Sequence, residues 1–155
     1  MKNQNMIDML RSFLFPRSTD CRTFSLFLLA LRILFGSLLM FHGLGKLMSF
    51  EELSVLFADP LGIGSQFSLV LAIFGELFCS VAFIFGLLYR LSMLPMLATM
   101  AVAFFGIHQA SVAQGELAFV YLLVLILMYF AGPGRYSVDY LIRRSMDKPD
   151  FSEEV

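Results

Sequence analysis

Charge is what this sequence has least of. Asp, Glu, Lys and Arg make up 15% of its 155 residues, against about a quarter in an ordinary soluble domain. So short a chain with so little charge cannot bury its apolar groups in a single aqueous core. Net charge is −1, so no basic field is present to hold nucleic acid, and no acidic block suggests a charged tail. Tryptophan is absent, and the two cysteines, Cys21 and Cys79, stand far apart with no C-x-x-C partner. Neither a disulfide framework nor a thioredoxin-type centre is indicated. Histidine is equally scarce. His42 and His108 with Glu76 have acceptable ligand types for a metal, but no H-x-x-x-H spacing supports a site, and none is assigned.

What is present is apolar. Hydrophobic residues reach 59%, with 18 Phe and 10 Met, and the mean hydropathy is +0.81. The solvent that fits is a lipid bilayer. A spanning helix needs about 17 to 25 mostly apolar residues, and stretches 24–46, 67–89, 91–108 and 116–131 meet or approach that length. The last is short and crosses only if nearly upright or if the bilayer thins. The first is read as a retained span, because it is long and no small-residue cleavage site closes it. Ahead of it, Met6, Ile7, Met9, Leu10, Phe13 and Leu14 recur at helical spacing up to Pro16, the pattern of a helix lying on the membrane surface. The expected fold class is an all-α membrane protein. It is a four-transmembrane-helix antiparallel bundle with a short N-terminal interfacial helix and a short C-terminal amphipathic helix. The divisions fall at 1–22, 23–142 and 143–155.

Lys and Arg set the orientation. Lys2, Arg11, Arg17 and Arg22 precede the first span, Arg90 lies between the second and third, and Arg135, Arg143, Arg144 and Lys148 follow the fourth. The other two connections offer Lys46 beside Glu51, Glu52, Asp59 and Glu116. Both termini are therefore expected on the cytoplasmic side. Asp59-Pro60 with Gly62 and Gly64 signals turns rather than a domain. Ser92 is expected as N-cap of the third span, with Pro95 in its first turn, where a missing N–H is harmless.

Ionisable residues at membrane depth are costly and default to functional candidates. Measured from the cytoplasmic side, Arg32 lies roughly 12 Å deep, Glu76 roughly 20 Å, and His42 and His108 roughly 26 Å. Because Cβ vectors tilt toward the N-terminus of their own helix, His42 and Glu76 are expected to converge and Arg32 to lean away from Glu76. On a helical wheel Lys46 lies about 40° from both His42 and Arg32, on a face shared with Gly36 and Gly43. For Arg32 a snorkelling or helix-packing anchor is the alternative to ligand binding, and for Glu76 a hydrogen-bonded carboxyl holding helices together. Cys79 reads as a small apolar filler.

Several ordered pieces carry a resemblance. They are Arg32 with Phe41-His42-Gly43-Leu44-Gly45-Lys46, then Gly75-Glu76-Leu77, then Gly86-Leu87-Leu88-Tyr89-Arg90-Leu91, and the closing Gly132-Pro133-Gly134-Arg135-Tyr136-Ser137-Val138-Asp139. Together they resemble the DoxX family of small bacterial membrane proteins over roughly residues 24 to 142. The resemblance implies a four-helix bundle in the bacterial cytoplasmic (inner) membrane. Its relatives include DoxD-type subunits of thiosulfate:quinone oxidoreductase, so it also implies a component of a quinone-linked, sulfur or oxidative-stress redox complex. The family's recurring Arg, Gly, Lys and Glu map onto Arg32, Gly43, Lys46 and Glu76. Its terminal motif maps onto Gly132, Pro133, Gly134, Arg135, Ser137 and Asp139.

On that reading Glu76 and His42 exchange protons, while Arg32, Lys46, His108 and Gly43 line a ligand site. Gly132, Pro133, Gly134, Ser137 and Asp139 form a structural element, in which Ser137 caps a short helix and Asp139 favours that helix's dipole. With no cysteine pair, redox chemistry falls to a bound quinone or a partner protein. The competing reading is a non-catalytic assembly protein or a small-solute transporter, which with four helices would need a homo-oligomer.

Overall fold

The computed structural model describes residues 22–146. The expected interfacial helix over 6–14 and most of the tail 143–155 lie outside the described residues.

Four helices are long and apolar enough to cross a membrane: Arg22–Met48, Ser65–Phe85, Tyr89–Ile107 and Val112–Ala131. They are spans one to four. A short helix, Phe50–Leu56, follows the first span, and a strongly amphipathic helix, Val138–Met146, follows the fourth. Each span packs on its neighbour in sequence. The ring closes where Phe35 of span one meets Tyr121 of span four edge-on, with centroids 5.8 Å apart. Leu39, Phe83, Tyr89, Met93, Met96 and Leu125 fill the centre, while Phe27, Phe41, Phe85, Leu127 and Phe130 stand exposed around the outside. That inversion suits a hydrocarbon solvent, where exposed apolar side chains cost nothing.

The fourth span is longer than the sequence suggests. It starts at Val112, because the chain reverses through Gln109 and Ala110, both at positive φ. Glu116 therefore sits within the helix, just past a distortion at Gly115, and no thinning of the bilayer is required.

The start of span three also differs. Ser92 is not its N-cap: the helix begins at Tyr89, and the Ser92 hydroxyl donates back to the Tyr89 carbonyl at 3.0 Å. Pro95 thus lies well inside the helix rather than in its first turn, where its missing N–H removes an intrahelical hydrogen bond. The cap comes instead from a distant carboxylate, Asp139, which accepts from the Leu88 and Tyr89 amides, each at 2.8 Å.

Spans two and three each change pitch once. Phe74–Phe78 and Val102–Ile107 are π-helical, a rare local widening that concentrates at functional sites. The first lies at the middle of span two and the second at the Asp59 end of span three.

Candidate functional site

Glu76 lies within the first π segment and is buried. Its carboxylate pairs with the Lys46 ammonium near the end of span one. A charge this deep demands a partner, and here it has one that is itself a quarter exposed. Packing dictates which residue becomes the partner. Span one crosses span two at Gly43, where an added Cβ would stand 2.7 Å from the Leu77 amide nitrogen and 2.8 Å from the Glu76 carbonyl carbon. Gly75 is held as tightly from the other side, where an added Cβ would stand 2.5 Å from the Thr99 hydroxyl and 3.0 Å from the Pro95 carbonyl oxygen. With Gly43 at the crossing point, Lys46 follows one turn later on the same face and its long stem reaches Glu76.

The ion pair forms part of the wall of a cavity of about 260 Å³. Leu71, Ala72, Ala98, Val102, Ala103 and Ile107 supply apolar walls from spans two and three, with Ser68 and Thr99 the hydroxyl-bearing exceptions. The second π segment thus borders the same space as the first. The loop 57–64 covers it, contributing Phe57, Pro60, Leu61 and Ile63, and Pro60 lies so close to Gly106 that a Cβ there would meet the ring at 2.9 Å. Asp59 shapes this roof, accepting from the Ile63 amide at 3.1 Å, the Gly64 amide at 2.7 Å and the Ser68 hydroxyl at 2.8 Å. Donation from Gly64 and Ser68 holds its carboxyl below the ordinary aspartate value.

The expected convergence of His42 on Glu76 is not found. His42 is exposed on span one, turned away because its neighbour Gly43 occupies the crossing; helix tilt alone omitted that constraint. His108 follows the second π segment and packs its side chain against Gly115. Neither histidine hydrogen-bonds to Glu76. Among the described residues no cluster of three or more His, Cys, Asp or Glu converges to hold a metal.

Arg32 belongs to the other end of the bundle, beside the Arg90 turn. It is fully buried and donates to three backbone carbonyls: Pro133 at 2.5 Å, Tyr136 at 2.6 Å and Ile84 at 3.1 Å. It lines no part of the cavity. Span two ends beside it in a Schellman motif, with the Gly86 amide on Phe83 and the Leu87 amide on Ala82. Gly86 has φ +67° and leaves no room for a side chain, since a Cβ would stand 2.6 Å from that of Ser137 and 2.8 Å from Arg32 Nη1. Its carbonyl accepts the Asp139 amide at 3.0 Å.

Ser137 caps the terminal helix as expected, accepting from the Tyr140 amide at 3.2 Å. Asp139 stands in the first turn of its own helix, as expected, and has a second role: buried, it caps span three, and burial pushes its carboxyl above the ordinary aspartate value against the pull of the two amides and of Arg32.

Four apolar spans, locked at one end and holding a cavity with a buried ion pair at the other, define a small multi-pass integral membrane protein. Residues 27–109 match the DoxX family, and the chain belongs to it. The match includes Arg32, Gly43, Lys46 and Glu76; the motif from Gly132 to Asp139 lies beyond it. No curated protein and no solved structure matches the chain.

Sequence reasoning missed Ser68, Thr99 and the roof residues. Asp59-Pro60 was visible as a turn, but a turn does not reveal what it covers.

Proposed function

We propose that this protein is a ligand-binding component of a quinone-linked redox complex in the bacterial cytoplasmic membrane, with both termini on the cytoplasmic side. The cavity beside Lys46 and Glu76 is the site. The observation that carries this reading is an apolar chamber of about 260 Å³ whose wall holds one buried ion pair. Apolar cavities of about 150 Å³ take up benzene, so a substituted ring fits here. The volume is just under the roughly 300 Å³ where drug-sized sites begin, which suits a head group rather than a whole long-chain molecule.

A quinone, when bound, supplies the electron-accepting ring. The chain's own part is to exclude water, to orient the ring by hydrogen bonds from Lys46, and to exchange protons with it at Glu76. Electrons come from a partner protein, since Cys79 has no second thiol beside it among the described residues.

The test is extraction and titration. Purified protein should carry or bind quinone, and Glu76→Gln should weaken binding at least tenfold, about 1.4 kcal/mol. Absence of quinone from the extract together with a flat titration would overturn the reading.

A further inference from the structure

The described residues hold a second large cavity beside the first. It measures about 390 Å³ and lies between the same two spans, nearer the Arg90 turn. Phe74, Cys79 and Ala82 of span two face Leu91, Leu94 and Pro95 of span three across it. Its lining is almost wholly apolar, and Phe74, Leu91 and Leu94 are about half exposed to the surrounding hydrocarbon. On span three the residues bordering the two cavities, Leu91, Pro95, Ala98 and Val102, follow one another at spacings of three and four, which places them on a single stripe. On span two Leu71 borders the first cavity and Phe74 the second, one turn apart. Between them the helices touch at Gly75, Pro95 and Thr99.

We propose that the two cavities form one site for a single-tailed amphiphile, its head beside Lys46 and Glu76 and its hydrocarbon chain along the groove toward the Arg90 turn. This rests on the reading of the first cavity as a head-group site. Polarity is split accordingly: the ion pair borders only the first cavity, while the second carries a single hydroxyl, that of Ser92, already bonded to Tyr89. From Ala72 to Ala82 the groove runs about 15 Å along span two, so a chain lies in it extended. The close contact at Gly75 keeps the head from sliding down the groove, and the tail passes it on the lipid-facing side, over Phe74. Entry is lateral, from the bilayer.

A tail leaving lipid for the groove gains packing rather than escape from water, because lipid is as apolar as leucine. The chain is therefore expected to add about fivefold in affinity, near 1 kcal/mol.

The experiment titrates detergent-solubilised full-length protein with a benzoquinone lacking a chain, the same ring carrying a decyl chain, and decanoic acid. Ala82→Phe and Leu94→Phe each narrow the groove, the second at an exposed residue that tolerates change should the first fail to fold. In the unsubstituted protein the decyl ring should bind more tightly than the bare ring. Either variant should remove that difference while leaving the bare ring's affinity in place. If a folded variant binds the decyl ring as the unsubstituted protein does, the groove is overturned and the ring site stands. If decanoic acid binds, weakened by the groove variants, and neither quinone does, the groove stands with a lipid as its ligand and the quinone reading falls. If nothing binds saturably, both fall.

Discussion

At the Arg90 end, the Arg32 guanidinium reaches three backbone carbonyls and the Asp139 carboxylate two backbone amides. At the Asp59 end, Lys46 and Glu76 have each other, beside open volume. Both ends bury charge, yet one commits it to the backbone and the other pairs it side chain to side chain beside a cavity. The lesson concerns where a charge acts. One whose hydrogen bonds go to carbonyls of the Gly132-Pro133-Gly134 break and the Gly86 turn serves the fold, because those are the groups that a helix end leaves without partners. One paired to a single flexible side chain can change its partner at small cost.

The contrast is broken most forcefully at Arg32. Arg32→Leu removes three charge-assisted bonds and should destabilise the bundle by about 3 kcal/mol, read as a fall in thermal unfolding temperature in detergent. Arg32→Lys should restore only part of that, since one ammonium does not reproduce the guanidinium fork. A loss of ligand binding at unchanged stability would move Arg32 into the site.

Next comes Gly43. A methyl group there meets backbone, so Gly43→Ala should cost about 2 kcal/mol by overpacking. It should also weaken ligand binding, because the π segment carrying Glu76 must shift. Unchanged stability and binding would show that the crossing is looser than the contact distances state.

Much of this was legible before any coordinates. Four spans and the amphipathic terminal helix follow from hydropathy and periodicity, and the lean of Arg32 away from Glu76 follows from helix direction. The pairing at Glu76 was not legible, because it depends on which residue of span one meets span two. Gly43 and Gly75 stand out in the sequence as small residues within spans, but nothing there says which helix each meets. The trans-acting cap on span three was hidden for the same reason: Asp139 and Tyr89 lie 50 residues apart, and local rules assigned each to its nearest neighbours. The π segments leave no composition signal at all.

A smaller effect is expected at His42. Exposed on span one and turned away from Glu76, it should tolerate His42→Ala with affinity within about twofold and stability within about 0.5 kcal/mol. A larger loss of binding at unchanged stability would return His42 to the site.

The smallest concerns the roof. Asp59 has a folded-state value below its ordinary 3.8, so its contribution is fully present above that ordinary value and is lost as pH falls through the depressed one. Limited proteolysis of the loop 57–64 should therefore be constant from neutral pH to mildly acidic conditions and accelerate only under strong acid. Asp59→Asn should show the faster cleavage already at neutral pH. Equal cleavage of both proteins at every pH would detach Asp59 from the roof.

The most direct measurement is photo-crosslinking of a benzoquinone-based probe to the purified protein, followed by peptide mapping. Labelling should fall on residues 68–76 and 98–107 and be suppressed in Glu76→Gln. Labelling centred on residues 132–139 around Arg32, or unchanged by Glu76→Gln, would contradict the division of the bundle into a locked end and a binding end.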